Sequence, residues 1–504
     1  MSYALLSVTD KEGIGSFAKG LVELGYKILS TGGTLRVLLE EGIDAVAIDQ
    51  YTGFPEMLDG RVKTLHPKVH GGLLYRRDLP EHVKTTEEHG IESIDLVCIN
   101  LYEFEKHYHA GHDEATLIEN IDIGGPSMIR SGAKNFKDVL VVTSPADYGE
   151  VLDRLKAGTV DYEYRRSLAM KAFSLTAYYD GMISRYFQKQ VGAEGDYRTL
   201  ALKKVSELRY GENPHQGASL YADPMVESYL TDFEQLQGKE LSYNNFNDMN
   251  TAIALAGEFD ELVCVGLKHA TPCGVALGES PLEAYTKMFE ADPVSIFGGI
   301  VAINGTVDGP TAEKMAEIFL EVVAAEDYTE EALKVLSAKK NLRLLKVNFG
   351  HQPLKEELRM VSGKVLIQDA DVNAEEGHEL MTEKSPTEGE KRDMDFGMKV
   401  VKYVRSNAVV LVKDGVTLGI GGGETSRIWA LENIFNHNPQ RDFKDSVLAS
   451  DAFFPFDDCV RLAASKGVSA VVQPGGSIRD EDSVKACNEH GMSMVATGVR
   501  HFKH

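Results

Sequence analysis

Residues 262–275 read Leu262-Val263-Cys264-Val265-Gly266-Leu267-Lys268-His269-Ala270-Thr271-Pro272-Cys273-Gly274-Val275. The first six are mostly β-branched or apolar, which predicts a buried strand, and the Pro and Gly that follow predict a turn that ends it. A cation and an imidazole then stand at the carboxyl end of a strand, where open α/β sheets bind ligands. A lone Lys usually reaches solvent and a lone His usually satisfies a core hydrogen bond. Two polar groups that interrupt an apolar run beside a turn favour a functional site.

The composition is that of an ordinary folded protein with two to four domains. Of the 504 residues, 43% are hydrophobic and 26% are charged, which allows large buried cores. The net charge of −24 argues against a general binder of nucleic acid or of anionic membranes. We therefore expect neither a nucleic-acid nor a membrane partner, although a locally basic pocket for an anionic substrate is compatible with an acidic protein.

Targeting and cysteine patterns predict a cytoplasmic protein. The first residues have no basic region and too short an apolar run for a signal peptide. No apolar stretch approaches the roughly 20 residues that span a bilayer. The five cysteines are scattered and form no Cys-x-x-Cys pair, so neither a disulfide framework nor a structural zinc site is expected.

Strand and helix patterns alternate from residue 1 to about residue 150, which predicts a doubly wound parallel sheet. The turn Thr31-Gly32-Gly33-Thr34 follows a short strand and opens a helix. Backbone N–H groups at a helix start bind phosphate, although many such turns contain two glycines only to fit the backbone. The turn is not a Walker loop, because the Gly-Lys-Ser/Thr ending is missing.

A basic loop at residues 60–72 is the next candidate. It holds three cations, two histidines and glycines within an otherwise acidic protein, and it is interpreted as an anion-binding loop or as a solvated basic loop. His66 and His70 have a spacing that suits a metal, but no third ligand completes a set, so no metal is expected. With residues at the predicted strand ends, the candidate site of this half comprises Lys11, Thr31, Lys63, Tyr102, Asp122 and Lys134.

The second half repeats the theme of apolar strands followed by polar loops. Gly192–Tyr197 is the expected linker, residues 311–345 are expected to be helical, and 370–395 is expected to be an exposed excursion. The run Val471–Ser477 echoes the strand, Pro and Gly turn of residues 262–275, which hints at two related subdomains. The glycine run at 419–423 lacks the third glycine of a dinucleotide fingerprint, because Glu424 stands there.

Together these motifs resemble a known family, the bifunctional AICAR transformylase/IMP cyclohydrolase of purine biosynthesis. The resemblance runs from Leu5 to His504. Its most specific markers are Ser30–Thr34, Gly60–Pro67, Arg209–Gln216, Lys268-His269, Asp451–Phe456 and Arg500–His504.

The resemblance implies an α/β fold in two domains. Residues 1–195 would form the cyclohydrolase domain, a methylglyoxal-synthase-like doubly wound parallel sheet. Residues 196–504 would form the transformylase domain, built of two cytidine-deaminase-like subdomains, with its site shared across a homodimer. The zinc deaminase signature needs a second Cys after Pro272-Cys273, and this sequence has none, so no catalytic metal is expected.

The implied function is the last two steps of IMP synthesis. The first is formyl transfer from the cosubstrate 10-formyltetrahydrofolate to AICAR, which gives FAICAR. The second is dehydrative ring closure of FAICAR to IMP. The implied partners are these nucleotide and folate substrates and a second copy of the chain.

The resemblance also implies residue roles. In formyl transfer, His269 would act as the base, Lys268 would stabilise the oxyanion and Asn407 would orient the acceptor. In ring closure, Lys63 and Tyr102 would be donors, and Asp122 with Lys134 would transfer protons. The implied substrate-binding residues are Thr9, Asp10, Lys11, Thr31, Gly32, Gly33, Thr34, Arg61, Val62, Thr64, Ile99, Asn100, Ile123, Arg209, Tyr210, His215, Phe297, Gly298, Arg427, Phe453, Asp458, Ser477, Ile478, Arg500 and His504.

Without the resemblance, two other functions suit the first half. One is a sugar-phosphate lyase or synthase, and the other is a nucleotide-sensing regulatory module. The group Lys63, Tyr102, Asp122 and Lys134 discriminates between them, because a sensor needs phosphate donors but no proton-transfer pair.

Overall fold

The computed structural model describes residues 2–193, 195–351, 354–372 and 377–504, which fall into two compact units. The first unit comprises Met1–Lys204 and Tyr221–Met225, and the second comprises Val205–Leu220 and Val226–His504. The expected linker Gly192–Tyr197 therefore lies inside the first unit, and its Glu194 is outside the described residues. The functional boundary after residue 195 stays a prediction, because compactness divides a chain by packing and not by activity. Within the described ranges, no helix is long and apolar enough to cross a membrane.

The first unit alternates strands and helices as predicted. Its strands are β1 (Tyr3–Ser7), β2 (Lys27–Ser30), β3 (Ala45–Ala47), β4 (Ile94–Ile99) and β5 (Leu140–Val142). Its helices are α1 (Ile14–Glu23), α2 (Gly32–Glu40), α3 (Ile48–Thr52), α4 (Pro67–Leu74), α5 (Pro80–Glu88), α6 (Phe104–His109), α7 (Glu114–Glu119), α8 (Gly124–Lys134), α9 (Tyr148–Ala157) and α10 (Tyr162–Val191).

All five strands of this unit are parallel, in the order β3-β2-β1-β4-β5. Helices cover both faces, and the strands are accordingly buried apolar runs: Leu5 faces one core cluster and Leu6 faces the other. The chain reverses its direction of winding between β1 and β4. Ligands of such sheets bind beyond the carboxyl ends of the strands at this point.

The rest of the chain contains sixteen strands and eight helices within the described residues. The strands are β6 (Lys203–Leu208), β7 (Ala218–Ala222), β8 (Phe233–Gln237), β9 (Val263–Lys268), β10 (Thr271–Leu277), β11 (Ile300–Val307), β12 (Val322–Tyr328), β13 (Arg343–Val347), β14 (Glu356–Val361), β15 (Lys364–Asp369), β16 (Glu379–Leu380), β17 (Val409–Lys413), β18 (Val416–Gly421), β19 (Val447–Ser450), β20 (Ala470–Gln473) and β21 (Ser493–Ala496). The helices are α11 (Tyr243–Ala256), α12 (Pro281–Ala291), α13 (Gly309–Ala316), α14 (Glu330–Leu336), α15 (Glu388–Val401), α16 (Arg427–His437), α17 (Asp458–Ser465) and α18 (Asp480–Glu489).

The second unit is organised around one twelve-stranded sheet that contains the same arrangement twice. The order on one side is β10-β9-β11-β12-β13, and on the other it is β18-β17-β19-β20-β21. The helices α11 to α14 and α15 to α18 occupy matching places along the chain. We call the two arrangements the first repeat and the second repeat.

The repeats join where β10 pairs with β18 in antiparallel fashion. Thr417 is 1% exposed at this junction. Its hydroxyl accepts a hydrogen bond from the Val275 N–H (3.0 Å) and donates one to the Val275 carbonyl (3.3 Å). Because the pairing is antiparallel, the carboxyl end of a strand in one repeat lies at the same edge of the sheet as the amino end of its equivalent in the other repeat.

Three sequence predictions are corrected here. Pro272 does not end a strand: it lies within β10, opposite Leu267, and the turn is formed by His269 and Ala270, both with positive φ. Residues 311–345 are not all helical, because β12 and β13 run through them as short buried strands. Such apolar runs cannot be distinguished from buried helix by periodicity. The excursion at 370–395 contains β16 and the start of α15, and its residues 373–376 lie outside the described residues.

We expect Thr417→Val to lower the free energy of unfolding by about 1–3 kcal/mol, because the buried Val275 backbone groups lose their partner. Thr306→Val, at an exposed position of β11, is the matched control and should change stability by less than about 0.5 kcal/mol. Urea unfolding measures both. Equal changes in the free energy of unfolding would show that the hydrogen bonds between Thr417 and Val275 do not stabilise the fold.

Candidate functional sites

In the first unit, Asn100 shapes the loop that follows β1. Its side-chain oxygen accepts hydrogen bonds from the backbone N–H groups of Thr9 (2.5 Å) and Asp10 (3.1 Å). Its amide nitrogen donates to the Asp10 carbonyl (2.9 Å). Lys11 in turn donates to the Thr9 carbonyl (3.1 Å). The ends of β1 and β4 are thereby locked together, and Lys11 is held at the switch point.

The turn Thr31–Thr34 sits beside this loop and is approached by two cations. Thr31 precedes α2, and its hydroxyl is 2.7 Å from that of Ser7 at the end of β1. The Thr34 hydroxyl accepts from the Val8 N–H (2.9 Å). A methyl group placed on Gly33 would lie 3.4 Å from Lys11 Cε, and one placed on Gly32 would lie 3.8 Å from Lys63 Nζ. Two ammonium groups beside a helix start form a basic, anion-accepting corner.

Tyr102, Asp122 and Lys63 come together next to that corner. The Asp122 carboxylate accepts backbone hydrogen bonds from Gly125 (2.7 Å) and Tyr102. Burial raises the pKa of Asp122 and outweighs these hydrogen bonds, which lower it. Burial and the charge of Asp122 raise the pKa of Tyr102, and Lys63 lowers it. Lys63 also forms an ion pair with Glu56 (2.9 Å), a residue that no sequence motif singled out.

Other predicted residues of this unit have mixed surroundings. Arg61 is ion-paired with Glu119 on the surface. Ile99 is buried at the end of β4, Thr64 is buried against Gly124, and Ile123 is 58% exposed. Val62 forms an isolated antiparallel bridge with Met57.

Lys134 is not brought to Asp122 within one chain, and the predicted pairing of the two is corrected. Asp122 precedes α8 and Lys134 ends it, so the helix separates them by about 15 Å. Lys134 instead lines a groove of about 870 Å³. The polar side chains of that groove are His70, Ser127, Arg130, Ser131, Lys134 and Arg166.

In the second unit, the predicted site residues lie along one edge of the twelve-stranded sheet. The strand registers bring to this edge the ends of β9, β18, β19, β20 and β21 and the starts of β10, β11 and β17. The groups that follow or precede them include Lys268, His269, Gly298, Asn407, Arg427, Phe453, Ser477 and Arg500.

Lys268 ends β9, and His269 is the first residue of the hairpin turn that leads to β10. The Lys268 ammonium donates to the carbonyls of Phe297 (3.0 Å) and Gly298 (2.7 Å). His269 is exposed and has φ 51°. Asp248 of α11 accepts a hydrogen bond from the Ala270 N–H (2.7 Å). Burial raises the pKa of Asp248, whereas the charges of His269 and Lys268 lower it, and the net shift is upward.

Asp451 is the centre of a second, buried cluster at the end of β19. Its carboxylate is fully buried and accepts hydrogen bonds from Arg427 (2.6 Å) and from the Ser406 hydroxyl (2.5 Å). Its carbonyl accepts from the His501 N–H (2.9 Å). The carboxy-terminal residues are therefore ordered against the sheet edge, and the Lys503 N–H donates to the Ser406 hydroxyl (3.2 Å).

Asn407 follows Ser406, and its amide donates to the Glu424 carbonyl (3.0 Å). In the sheet order, β17 is separated from β9 by β18 and β10. The end of β9 and the start of β17 are therefore about 14 Å apart, which is three strand spacings. One chain therefore holds Asn407 and His269 at the same edge but not side by side.

The remaining predicted residues of this unit line loops near the same edge. Arg209 packs its guanidinium on the Tyr210 ring (4.9 Å), and the loop that contains them and His215 bonds to Asn244 at the start of α11. Phe297 is 60% exposed, Phe453 is 38% exposed and Ile478 is fully exposed. Asp458 begins α17, the Ser477 hydroxyl accepts from the Arg479 N–H, and Arg500 and His504 flank the ring of Phe502.

Sequence reasoning missed the acidic partners of these sites. Asp248 and Asp451 stand in polar and aromatic stretches that attracted notice, but only their contacts reveal what they hold. Glu56 carried no local signal at all. In the described part of the chain, no group of three His, Cys, Asp or Glu side chains has the geometry to hold a metal ion.

Comparisons with known proteins match the chain over nearly its whole length. A family described as "AICARFT/IMPCHase bienzyme" matches residues 132–436, and a family described as "MGS-like domain" matches residues 13–127. The chain is 53% identical over 506 residues to the bifunctional purine biosynthesis protein PurH of Clostridioides difficile (strain 630), with 99% of each chain covered. It is 52% identical over 503 residues to PurH of Clostridium acetobutylicum, again with 99% of each covered. A crystal structure of ForH is 37% identical, with a TM-score of 0.34 over 37% of this chain and 97% of that one.

We expect the stability of the protein to depend on pH through Asp122. Because its pKa is higher in the folded state than the ordinary 3.8, the folded state binds more protons, and stability falls as pH rises from about 4 through the raised pKa. Asp122→Asn removes this titration. The melting temperature of the wild type minus that of Asp122→Asn should therefore decrease between about pH 4 and pH 7 by calorimetry. A difference that is constant or grows with pH would contradict this assignment, and exposed Asp44→Asn is the control.

Proposed function

The chain belongs to the AICARFT/IMPCHase bienzyme family, and on that premise we propose which residues perform its two reactions. It is a bifunctional enzyme of purine biosynthesis, an AICAR transformylase and an IMP cyclohydrolase. Membership in this family decides against the sugar-phosphate lyase and the nucleotide sensor for its first half. Its domains are an MGS-like domain and an AICARFT/IMPCHase domain of mixed α/β structure.

Formyl transfer takes place at the β9–β10 turn. The amine of AICAR attacks the formyl carbon of 10-formyltetrahydrofolate, the new N–C bond forms, and the bond to the folate nitrogen breaks. The amine is conjugated with a carboxamide and is a poor nucleophile, so a base must remove its proton as attack proceeds. His269 is that base, and the proton that the folate nitrogen needs on leaving comes through Lys268. The observation that carries this assignment is an exposed imidazole next to an ammonium at the sheet edge.

Lys268 suits oxyanion stabilisation because of what its ammonium already binds. A Lys ammonium has three donors, and two of them are fixed on the carbonyls of Phe297 and Gly298. With two N–H groups fixed, the direction of the third is fixed as well. The side chain therefore loses no further conformational entropy when the third N–H binds the oxyanion. A donor fixed in advance at the position where negative charge develops is the arrangement that lowers the barrier.

The transformylase site is shared between two copies of the chain. The amine and carboxamide of AICAR are neighbours on one ring, whereas His269 and Asn407 lie about 14 Å apart across the sheet. A second copy set against this edge supplies Asn407, Arg427 and Arg500 to the nucleotide held by His269 of the first. Arg209 and Tyr210 position the nucleotide from their loop.

The exposed apolar groups at the same edge bind the folate. Phe297, Phe453 and Ile478 offer flat or apolar surface to solvent, which suits a planar pteridine ring. The repeated strand order supports two cytidine-deaminase-like subdomains. We expect no metal in them, because no second Cys follows Pro272-Cys273 at the spacing of the zinc signature. We place the enzyme in the cytoplasm, because its scattered cysteines suit a reducing compartment.

Ring closure takes place at the switch point of the first unit. The carboxamide nitrogen adds to the formyl carbon, and the formyl oxygen leaves as water after it gains two protons. One proton is lost by the attacking nitrogen and the other by the formamide nitrogen, which then forms the double bond to the former formyl carbon. Lys63 and Tyr102 donate to this oxygen, and Asp122, whose raised pKa suits proton transfer nearer neutral pH, takes the proton of the attacking nitrogen. Thr9–Lys11 and the Thr31–Thr34 turn hold the phosphoribosyl group.

We expect His269→Ala to reduce formyl transfer by about 10²-fold or more, because the base is lost. Cyclisation of FAICAR should change by less than about twofold, because Lys63, Tyr102 and Asp122 belong to the other unit. Separate assays of the two steps measure this. His437→Ala, an exposed histidine of α16, is the matched control, and an equal loss in both variants would refute the role of His269.

We expect two inactive variants to restore activity when they are mixed. A dimer of one His269→Ala chain and one Asn407→Ala chain has one site with both defects and one site with neither. Random exchange of subunits should therefore return about a quarter of the wild-type formyl transfer. No recovery under conditions where exchange is shown by differently tagged chains would mean that each site is built from a single chain.

A further inference from the structure

The two repeats carry the same turn-holding contacts at equivalent positions. In the second repeat, the sixth residue of α15 is Asp393, and its carboxylate accepts hydrogen bonds from Asp414 N–H and Gly415 N–H, both 2.8 Å. Asp414 and Gly415 form the two-residue turn between β17 and β18. In the first repeat, the sixth residue of α11 is Asp248, which holds the turn of His269 and Ala270. The number of residues between aspartate and turn is identical in the two repeats.

The neighbouring lysines are equivalent as well. Lys413 ends β17, as Lys268 ends β9, and its ammonium donates to the Lys444 carbonyl (2.8 Å) in the loop before β19. Lys268 makes the matching contact with Phe297 in the loop before β11. The second repeat therefore shows what these contacts do when no chemistry is attached: they fix a hairpin turn and the loop beside it.

The first repeat departs from this arrangement at one point, the turn itself. Asp-Gly suits a turn with two positive φ values, and Asp414 and Gly415 have φ 54° and 70°. His269 and Ala270 adopt φ 51° and 54° without such a preference. Asp393 uses both oxygens on the turn, whereas Asp248, among the described contacts, uses one. The Asp248 carboxylate is also close enough to His269 for the charge of that residue to lower its pKa.

We propose that Asp248 is a positioning residue for formyl transfer: one carboxylate oxygen holds the strained turn, and the other receives a hydrogen bond from His269. The inference rests on the proposed role of His269 as the base. When His269 takes the proton of the attacking amine, it becomes an imidazolium with two N–H donors. One N–H faces the substrate, and the other donates to Asp248, which orients the ring and stabilises its charge.

The other charged groups near this pair are Lys268 on the same turn and Glu321 ahead of β12, and both influence Asp248. Lys268 is committed to backbone carbonyls, and Glu321 accepts from Asn245 (3.1 Å). Asp248 is therefore the carboxylate placed to act on His269.

Asp248→Asn tests the proposal, because asparagine keeps an acceptor for the Ala270 N–H and removes the charge. The expected result is a loss of about 10- to 100-fold in kcat for formyl transfer with KM for AICAR changed less than about threefold. The acid limb of the pH profile should move to lower pH, because the charge that stabilises the imidazolium formed during the reaction is removed. Unchanged FAICAR cyclisation reports that the first unit is folded, and the nearly constant KM for AICAR reports that the second unit is folded.

Asp393→Asn is the matched control, since it disturbs the same contact in the repeat that carries no base. It should leave kcat and the pH profile unchanged. In the His269→Ala background, Asp248→Asn should not reduce kcat for formyl transfer any further. An unshifted profile and unchanged kcat in Asp248→Asn, or an equal kinetic loss in Asp393→Asn, would overturn the proposal. Full activity of His269→Ala would instead remove the base assignment on which the proposal rests.

Discussion

The antiparallel pairing of β10 with β18 is the constraint on which the second unit depends. It joins two copies of one α/β arrangement into a single sheet of twelve strands. Because the pairing is antiparallel, the hairpin turn of the first repeat lies at the same edge as the strand ends of the second. The edge therefore combines a turn that carries Lys268 and His269 with loops that carry Asn407, Arg427 and the carboxy-terminal residues. A parallel junction would have put these groups at opposite edges.

Comparison of the two repeats also distinguishes contacts that stabilise the fold from residues that take part in the reaction. Contacts that both repeats share, such as a strand-end lysine on a loop carbonyl and a helix aspartate on a hairpin turn, belong to the scaffold. A difference between equivalent positions marks where the scaffold has been adapted. His269 stands at the position equivalent to Asp414, at a turn that is held by the same kind of aspartate contact in both repeats. The first unit has no such internal reference, and its site is defined by the convergence of strand ends at the switch point.

The local parts of both sites were predictable from sequence. Lys268-His269 at the end of an apolar run and the glycine turn at Thr31–Thr34 stand out because strand and turn residues have short-range preferences. The partners could not be predicted, since Asp248 with His269 and Glu56 with Lys63 meet only through packing. Pro272 does not end the strand as predicted, because it lies at a register shift of β10, where a residue without an N–H is tolerated. The sequence similarity between Val471–Ser477 and residues 262–275 matched β20 with β9. In the sheet, however, the strand equivalent to β20 is β12.

The most direct test of this account is a crystal structure of the protein with AICAR and a non-reactive analogue of 10-formyltetrahydrofolate. We expect the AICAR amine at about 3 Å from the His269 imidazole, with the Lys268 ammonium beside the formyl oxygen position. We also expect the nucleotide to be closed in by a second copy of the chain. A nucleotide bound away from the β9–β10 turn, with His269 facing solvent in the ternary complex, would contradict the assignment of His269 as the base.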